Sequence, residues 1–66
     1  MTAGTVRKVV IDRGFGFIVD SDGYSYFFHM SDLFDVTLAE LEVGSAVRFL
    51  ATDGPRGPRA RSVERV

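Results

Sequence analysis

Apolar and polar positions alternate with a period of two along most of the chain. Gly4 to Ile11 carries Val6, Val9 and Val10 with Thr5 and Ile11, the β-branched enrichment of a strand. Asp12-Arg13-Gly14 ends that run as a turn. Phe15 to Val19 is a second run, and Ser21-Asp22-Gly23 supplies the Asp-Gly pair of a tight hairpin, whose central residues must tolerate positive φ. Tyr24 to Met30 is a third run, so the second and third strands pair as a hairpin. Residues 31–45 lose the alternation. Within them Thr37 and Glu40 have the spacing of a capping box and Gly44 is placed to stop a helical turn, which predicts one turn of helix or an ordered loop. Ala46 to Thr52 alternates again, with Val47, Phe49 and Ala51 on one face. A turn-rich loop over 53–58 precedes a last strand from Arg59 to Val66, and Pro58 suits a strand start, where a missing donor costs least. The pattern predicts an all-β domain of five short strands.

The hairpin is apolar on both faces. Phe15, Phe17 and Val19 point one way and Gly16 and Ile18 the other, while Ser25, Phe27 and His29 oppose Tyr24, Tyr26, Phe28 and Met30. A sheet this small covers one face with its core and lacks the mass to cover the second. The face bearing Ser25 and His29 is the better candidate for exposure. Ile18, Tyr26 and Phe28 are thus assigned to the core, and Phe15, Phe17 and Phe27 to the surface, where contiguous aromatics mark a binding site.

At 66 residues, 45% of them hydrophobic and 26% charged, the chain is a single globular domain over 1–66, too short for a two-domain enzyme or a deep substrate cleft. Without cysteine it has neither disulfide nor thiolate metal site. No signal-peptide pattern follows Met1, so a cytoplasmic protein is expected. The formal net charge of -1 hides a sorted distribution. Arg7, Lys8 and Arg13 against Asp12 give residues 1–13 a sum of +2, and five arginines against Asp53 and Glu64 give residues 48–66 a sum of +3. Residues 14–47 hold Asp20, Asp22, Asp32, Asp35, Glu40 and Glu42 and no Lys or Arg. If the chain ends lie side by side, they form one basic flank suited to a polyanion. Aromatics on a sheet with Arg7, Lys8, Arg13, Arg56 and Arg59 in reach match the physics of single-strand nucleic-acid binding, in which bases stack on rings and a basic border tracks phosphates.

The same residues resemble a family. Arg13-Gly14-Phe15-Gly16-Phe17-Ile18 is similar to the first RNP motif, and Tyr26-Phe27-Phe28-His29-Met30-Ser31 to the second as bacterial cold-shock proteins carry it. Gly4, the stretch from Leu41 to Phe49, and Gly54-Pro55-Arg56-Gly57-Pro58-Arg59-Ala60 with Val63 extend the resemblance over the whole chain. An RNA-recognition motif carries such a segment late, after a helix, whereas only twelve residues precede Arg13. The resemblance implies a five-stranded antiparallel Greek-key barrel, the OB-fold, and a single cold-shock domain. It departs from the family at the site. Arg7-Lys8-Val9-Val10 stands where the family usually has Lys-Trp-Phe-Asn, Met30 where it has Phe, and Leu38 where it often has a loop aromatic. Stacking is worth roughly 1–3 kcal/mol per ring, so two lost rings lower affinity about thirtyfold or more. Lys8 offsets part of this through a phosphate, and Met30 through a soft apolar surface.

Enzymatic readings find no footing, with one histidine, no cysteine and no serine in a recognisable elbow. Asp20-Ser21-Asp22-Gly23 resembles the start of a calcium loop but lacks the later ligands, and reads as the hairpin turn. Asp32 and Asp35 read as turn and capping residues. The expected function is binding of single-stranded RNA or DNA, as an RNA chaperone, by Arg7, Lys8, Arg13, Phe15, Phe17, Phe27, His29, Met30, Arg56 and Arg59. No cofactor, metal or membrane is expected, and the chain is expected to be a monomer or weak homodimer. The alternative is a degenerate cold-shock fold whose apolar sheet serves a protein partner or a second copy.

Overall fold

The computed structural model describes all residues, Met1–Val66. Five strands, β1 (Thr2–Val10), β2 (Phe15–Asp20), β3 (Ser25–His29), β4 (Ala46–Gly54) and β5 (Gly57–Arg65), close into a barrel in the order β1-β2-β3-β5-β4. Single turns of 3-10 helix lie at Ile11–Arg13, Met30–Asp32 and Leu38–Glu40. No helix is long and apolar enough to cross a membrane. All pairings are antiparallel except the seam, where β3 meets β5 in parallel through Phe27 and Arg59.

Four strands are longer than the alternation predicts: β2 runs on to Asp20 and β4 to Gly54, while β1 and β5 start earlier. β1 begins at Thr2 because its first residues pair with β4, Thr2 with Phe49 and Gly4 with Val47. β5 begins at Gly57 because Pro55 and Arg56 alone make the turn, closed by the Gly54 and Gly57 pair. The third run shortens to Ser25–His29, leaving Tyr24 and Met30 exposed beyond its ends. Thr37 and Glu40 form the expected capping box: the Glu40 carboxylate accepts the Thr37 N–H at 2.8 Å and its hydroxyl at 3.0 Å.

The core comprises Val6, Ile18, Phe28, Leu38, Leu41, Val47, Phe49, Ala60 and Val63. Ile18 and Phe28 lie in it as expected. Tyr26 lies at its edge instead, half-buried against Phe49 with ring centroids 4.9 Å apart, because its hydroxyl reaches out to Asp20 at 2.9 Å. Ala51, expected on one face with Val47 and Phe49, is exposed instead, beyond a register shift.

Both strands beside the β2–β3 hairpin carry one extra residue. In β1 the register shifts between Val6 and Lys8, so Val6 and Val9 both pack on the core although three residues apart. In β5 the shift spans Arg61 to Glu64, with Ser62 at φ 51, and Ala60 and Val63 both face inward. Each bulge turns two consecutive residues outward: Arg7 and Lys8 on one side, Arg61 and Ser62 on the other. The two basic segments adjoin where Ala3 on β1 pairs with Arg48 on β4, but the arginines of β5 do not stand beside Arg7 and Lys8. β4 separates β1 from β5 on one side of the barrel, and the hairpin separates them on the other.

Candidate nucleic-acid interface

The outward residues of four strands fall into two rows across the sheet. Lys8 pairs with Phe17, Phe17 with Phe27, and Phe27 with Arg59. In the next row Val10 pairs with Phe15 and Phe15 with His29. Cross-strand partners share a face, so the three phenylalanines meet. Phe15 and Phe17 are 6.0 Å apart edge to face, Phe17 and Phe27 6.0 Å, and Phe15 and Phe27 5.7 Å with planes tilted 32°. All three phenylalanines are half-buried.

The inner face makes this possible. A Cβ on Gly16 would lie 2.7 Å from Phe28 Cζ, so glycine there lets the Phe28 ring pack beneath β2. Gly14, at φ 74, closes the Ile11–Arg13 turn by donating to Val10 O at 2.9 Å and accepts the Met30 N–H at 2.8 Å. That bond ties the two motifs together at one end of the face.

Around the rings, His29 Nδ1 accepts the Ser31 N–H at 3.1 Å, which leaves Nε2 as the ring's donor. Met30 is 57% exposed, with its sulfur against Gly14. Lys8 and Arg7 are exposed along the β1 edge and Arg13 in the adjoining turn. Arg56 is exposed at the β4–β5 tip, where no contact ties it to the rings. Arg59 is different from the other cations: its guanidinium carbon lies 5.7 Å from the Phe27 centroid and its Nη2 is 3.0 Å from Asp32 Oδ2. Asp32 also caps the Met30–Asp32 turn as expected, accepting the His29 N–H at 2.9 Å. Its side chain is only 3% exposed, and Arg61 Nε stands 3.7 Å from its other oxygen. Arg48 pairs with Glu64. Of the eight cations, Arg7, Lys8, Arg13, Arg56 and Arg65 make no ion pair.

Val9 does not share the ring face. It pairs with Gly16 and packs on the core, and Val10 is the residue beside Phe15. The β1 bulge, invisible in an alternation pattern, sets this parity. Periodicity does not single out Phe34, because it follows a helical turn; the residue is 59% exposed and its N–H donates to Val63 O at 2.7 Å. Two carboxylates on other surfaces, Asp20 and Glu40, hold local structure. Burial pushes the Asp20 carboxyl up, but the Tyr26 hydroxyl and the N–H groups of Tyr24, Asp22 and Gly23 outweigh it and hold it below the usual range. The same bond to Asp20, with desolvation, raises the Tyr26 phenol. Bonds from the Thr37 N–H and hydroxyl lower the Glu40 carboxyl.

A closed five-stranded barrel with two RNP-like segments side by side is consistent with the OB-fold architecture of oligonucleotide-binding domains. The family model for the 'Cold-shock' DNA-binding domain matches residues 2–66. The chain is 39% identical over 64 residues to cold shock protein ScoF of Streptomyces coelicolor, covering 96% of each chain. It is 38% identical over 64 residues to cold shock protein 2 of Lactiplantibacillus plantarum, covering 97% of each, and 35% identical over 66 residues to the major cold shock protein of Streptococcus pyogenes, covering 100% of this chain and 98% of that one. The chain belongs to the cold-shock domain family, whose members are nucleic-acid-binding proteins and not enzymes.

Proposed function

We propose that this chain binds single-stranded RNA or DNA on the outer face of β2 and β3 and acts as an RNA chaperone. One observation carries the reading: Phe15, Phe17 and Phe27 form a contiguous, half-exposed patch, with Lys8 and Arg59 at its two ends in register. Bases stack on the rings, and every base has a π-face, so recognition tolerates many sequences. Arg7, Lys8, Arg13 and Arg56 attract phosphates, and the His29 Nε2 proton is free to meet a base edge. Met30 adds an apolar shoulder beside Gly14. Holding single strands apart in this way needs neither nucleotide nor metal.

The test is a titration of isotopically labelled protein with a short oligopyrimidine, following backbone amides. Shifts are expected on Arg7, Lys8, Phe15, Phe17, Phe27, His29 and Met30. Shifts confined to residues facing inward, around Ile18 and Phe28, would overturn the face assignment. No shifts at low salt would leave the sheet to a protein partner.

A further inference from the structure

The seam of the barrel holds a buried carboxylate gripped by an arginine that itself lies over an aromatic ring. Asp32 Oδ2 accepts from Arg59 Nε at 3.1 Å and stands 3.0 Å from Arg59 Nη2, while the His29 N–H fixes the same oxygen at 2.9 Å. A backbone donor and a capping role hold the carboxylate, so it cannot follow the arginine; the arginine is held by it. Burial at 3% exposure keeps water from competing for those bonds. The guanidinium is consequently presented over Phe27, 5.7 Å from its centroid, with about a third of the side chain (32%) open to solvent.

A guanidinium is planar and weakly hydrated, and bases stack on it as they do on aromatic rings. Its edge toward Asp32 is occupied, and that carboxylate, which also faces Arg61 at 3.7 Å, offsets part of its charge at close range, which leaves it less to offer a phosphate. We infer that Arg59 is a further stacking surface of the interface, continuing the Lys8–Phe17–Phe27 row onto β5, and that Asp32 is the residue that positions it. This rests on the proposed single-strand interface and assigns Arg59 a different task there from the phosphate contact its charge alone suggests.

The two roles separate under salt. A phosphate contact releases counterions and contributes about 0.7 to the slope of log affinity against log salt on single strands; a stacked base contributes none. Binding of a fluorescein-labelled oligothymidylate, followed by anisotropy across a salt series, compares the wild type with Arg59→Lys, Arg59→Gln, Asp32→Asn and Phe17→Ala. Arg59→Lys keeps the charge and loses the plane, so it is expected to weaken binding about fivefold or more, and Arg59→Gln to weaken it with the slope unchanged. Asp32→Asn frees the arginine, so the slope should steepen toward one further contact while affinity at high salt falls. Wild-type affinity in Arg59→Lys, or a slope flattened by about 0.7 in Arg59→Gln, overturns the inference. If Asp32→Asn fails to fold, the two Arg59 variants still decide the matter. Phe17→Ala separates the levels. If it binds like wild type, or wild type does not bind, the interface itself fails; if it weakens binding while Arg59→Lys does not, only the role given to Arg59 fails.

Discussion

Phe27 and Phe28 are consecutive, chemically identical and opposite in fate. Phe28 is 0% exposed, wedged under Gly16 and among Ile18, Val47 and Phe49 in the core, whereas Phe27 is half-exposed between two phenyl rings and a guanidinium. The difference is strand parity alone. It teaches that the apolar content of this hairpin divides into a face that holds the barrel and a face that the barrel displays. The largest effect expected of any substitution follows from it. Phe28→Ala should cost ~3–5 kcal/mol of stability, as for a buried ring. Phe27→Ala should cost roughly 1 kcal/mol, the scale of the ring contacts it loses. Urea unfolding of the two variants side by side measures the contrast, and equal losses would erase it.

Binding should show the reverse order. Phe17→Ala and Phe27→Ala should each weaken single-strand binding by roughly 1–3 kcal/mol while remaining folded. A core variant that stays folded, such as Ile18→Val, should bind as wild type does. Anisotropy titration at one salt concentration suffices, and a folded Phe17→Ala that binds normally would take the rings out of the function.

The parity of the hairpin was legible in the sequence because its two strands are regular and joined by a short turn, so local alternation and fold agree. The flanking strands were not legible in the same way. An extra residue at Arg7 and another near Ser62 shift the alternation, and a bulge is set by the partner strand's register, which one strand's sequence does not carry. That is why Val9, which stands where the family usually has a ring, is a core contact here. Asp32 was legible as a cap, a local property, but its burial under Arg59 and Arg61 joins positions 27 residues and more apart. The basic flank was accordingly overcounted: the sum over residues 48–66 already sets Glu64 against an arginine but leaves out Asp32, which the fold places against Arg59 and Arg61.

The bulge sharpens the comparison of faces into a test on β1. Lys8 and Val10 stand beside Phe17 and Phe15 on the displayed face, while Val9 stands opposite Gly16 on the holding face. Lys8→Trp with Val10→Phe should therefore tighten binding by about 1 kcal/mol or more. Replacement of one cation should flatten the salt slope by at most about 0.7. Val9→Phe should give no gain and should destabilise by about 1–3 kcal/mol through overpacking. Should Val9→Phe tighten binding instead, the β1 register would be shifted by one residue.

The smallest effect concerns the rim, where the holding face meets water through Tyr26 and Asp20. The Asp20 carboxyl is held low in the folded chain, so the unfolded chain takes up a proton first as pH falls, and the stability this bond contributes is present at neutral pH and lost below about pH 4. Glu40 behaves alike through its bonds to Thr37. Tyr26 carries the opposite sign. Its phenol is raised, so its contribution is complete at neutral pH and is lost above about pH 10, where the unfolded chain ionises first. None of the three groups is fully buried, and the changes should be a few degrees of Tm at most. Asp20→Asn should lie below wild type at neutral pH and converge with it in acid, and Tyr26→Phe should lack the alkaline limb. A Tyr26→Phe profile that still falls above about pH 10 as steeply as wild type would place the alkaline loss elsewhere on the barrel. Because neither residue touches the rings, single-strand affinity at neutral pH should be unchanged in both variants, which confines their effect to the face that holds the barrel.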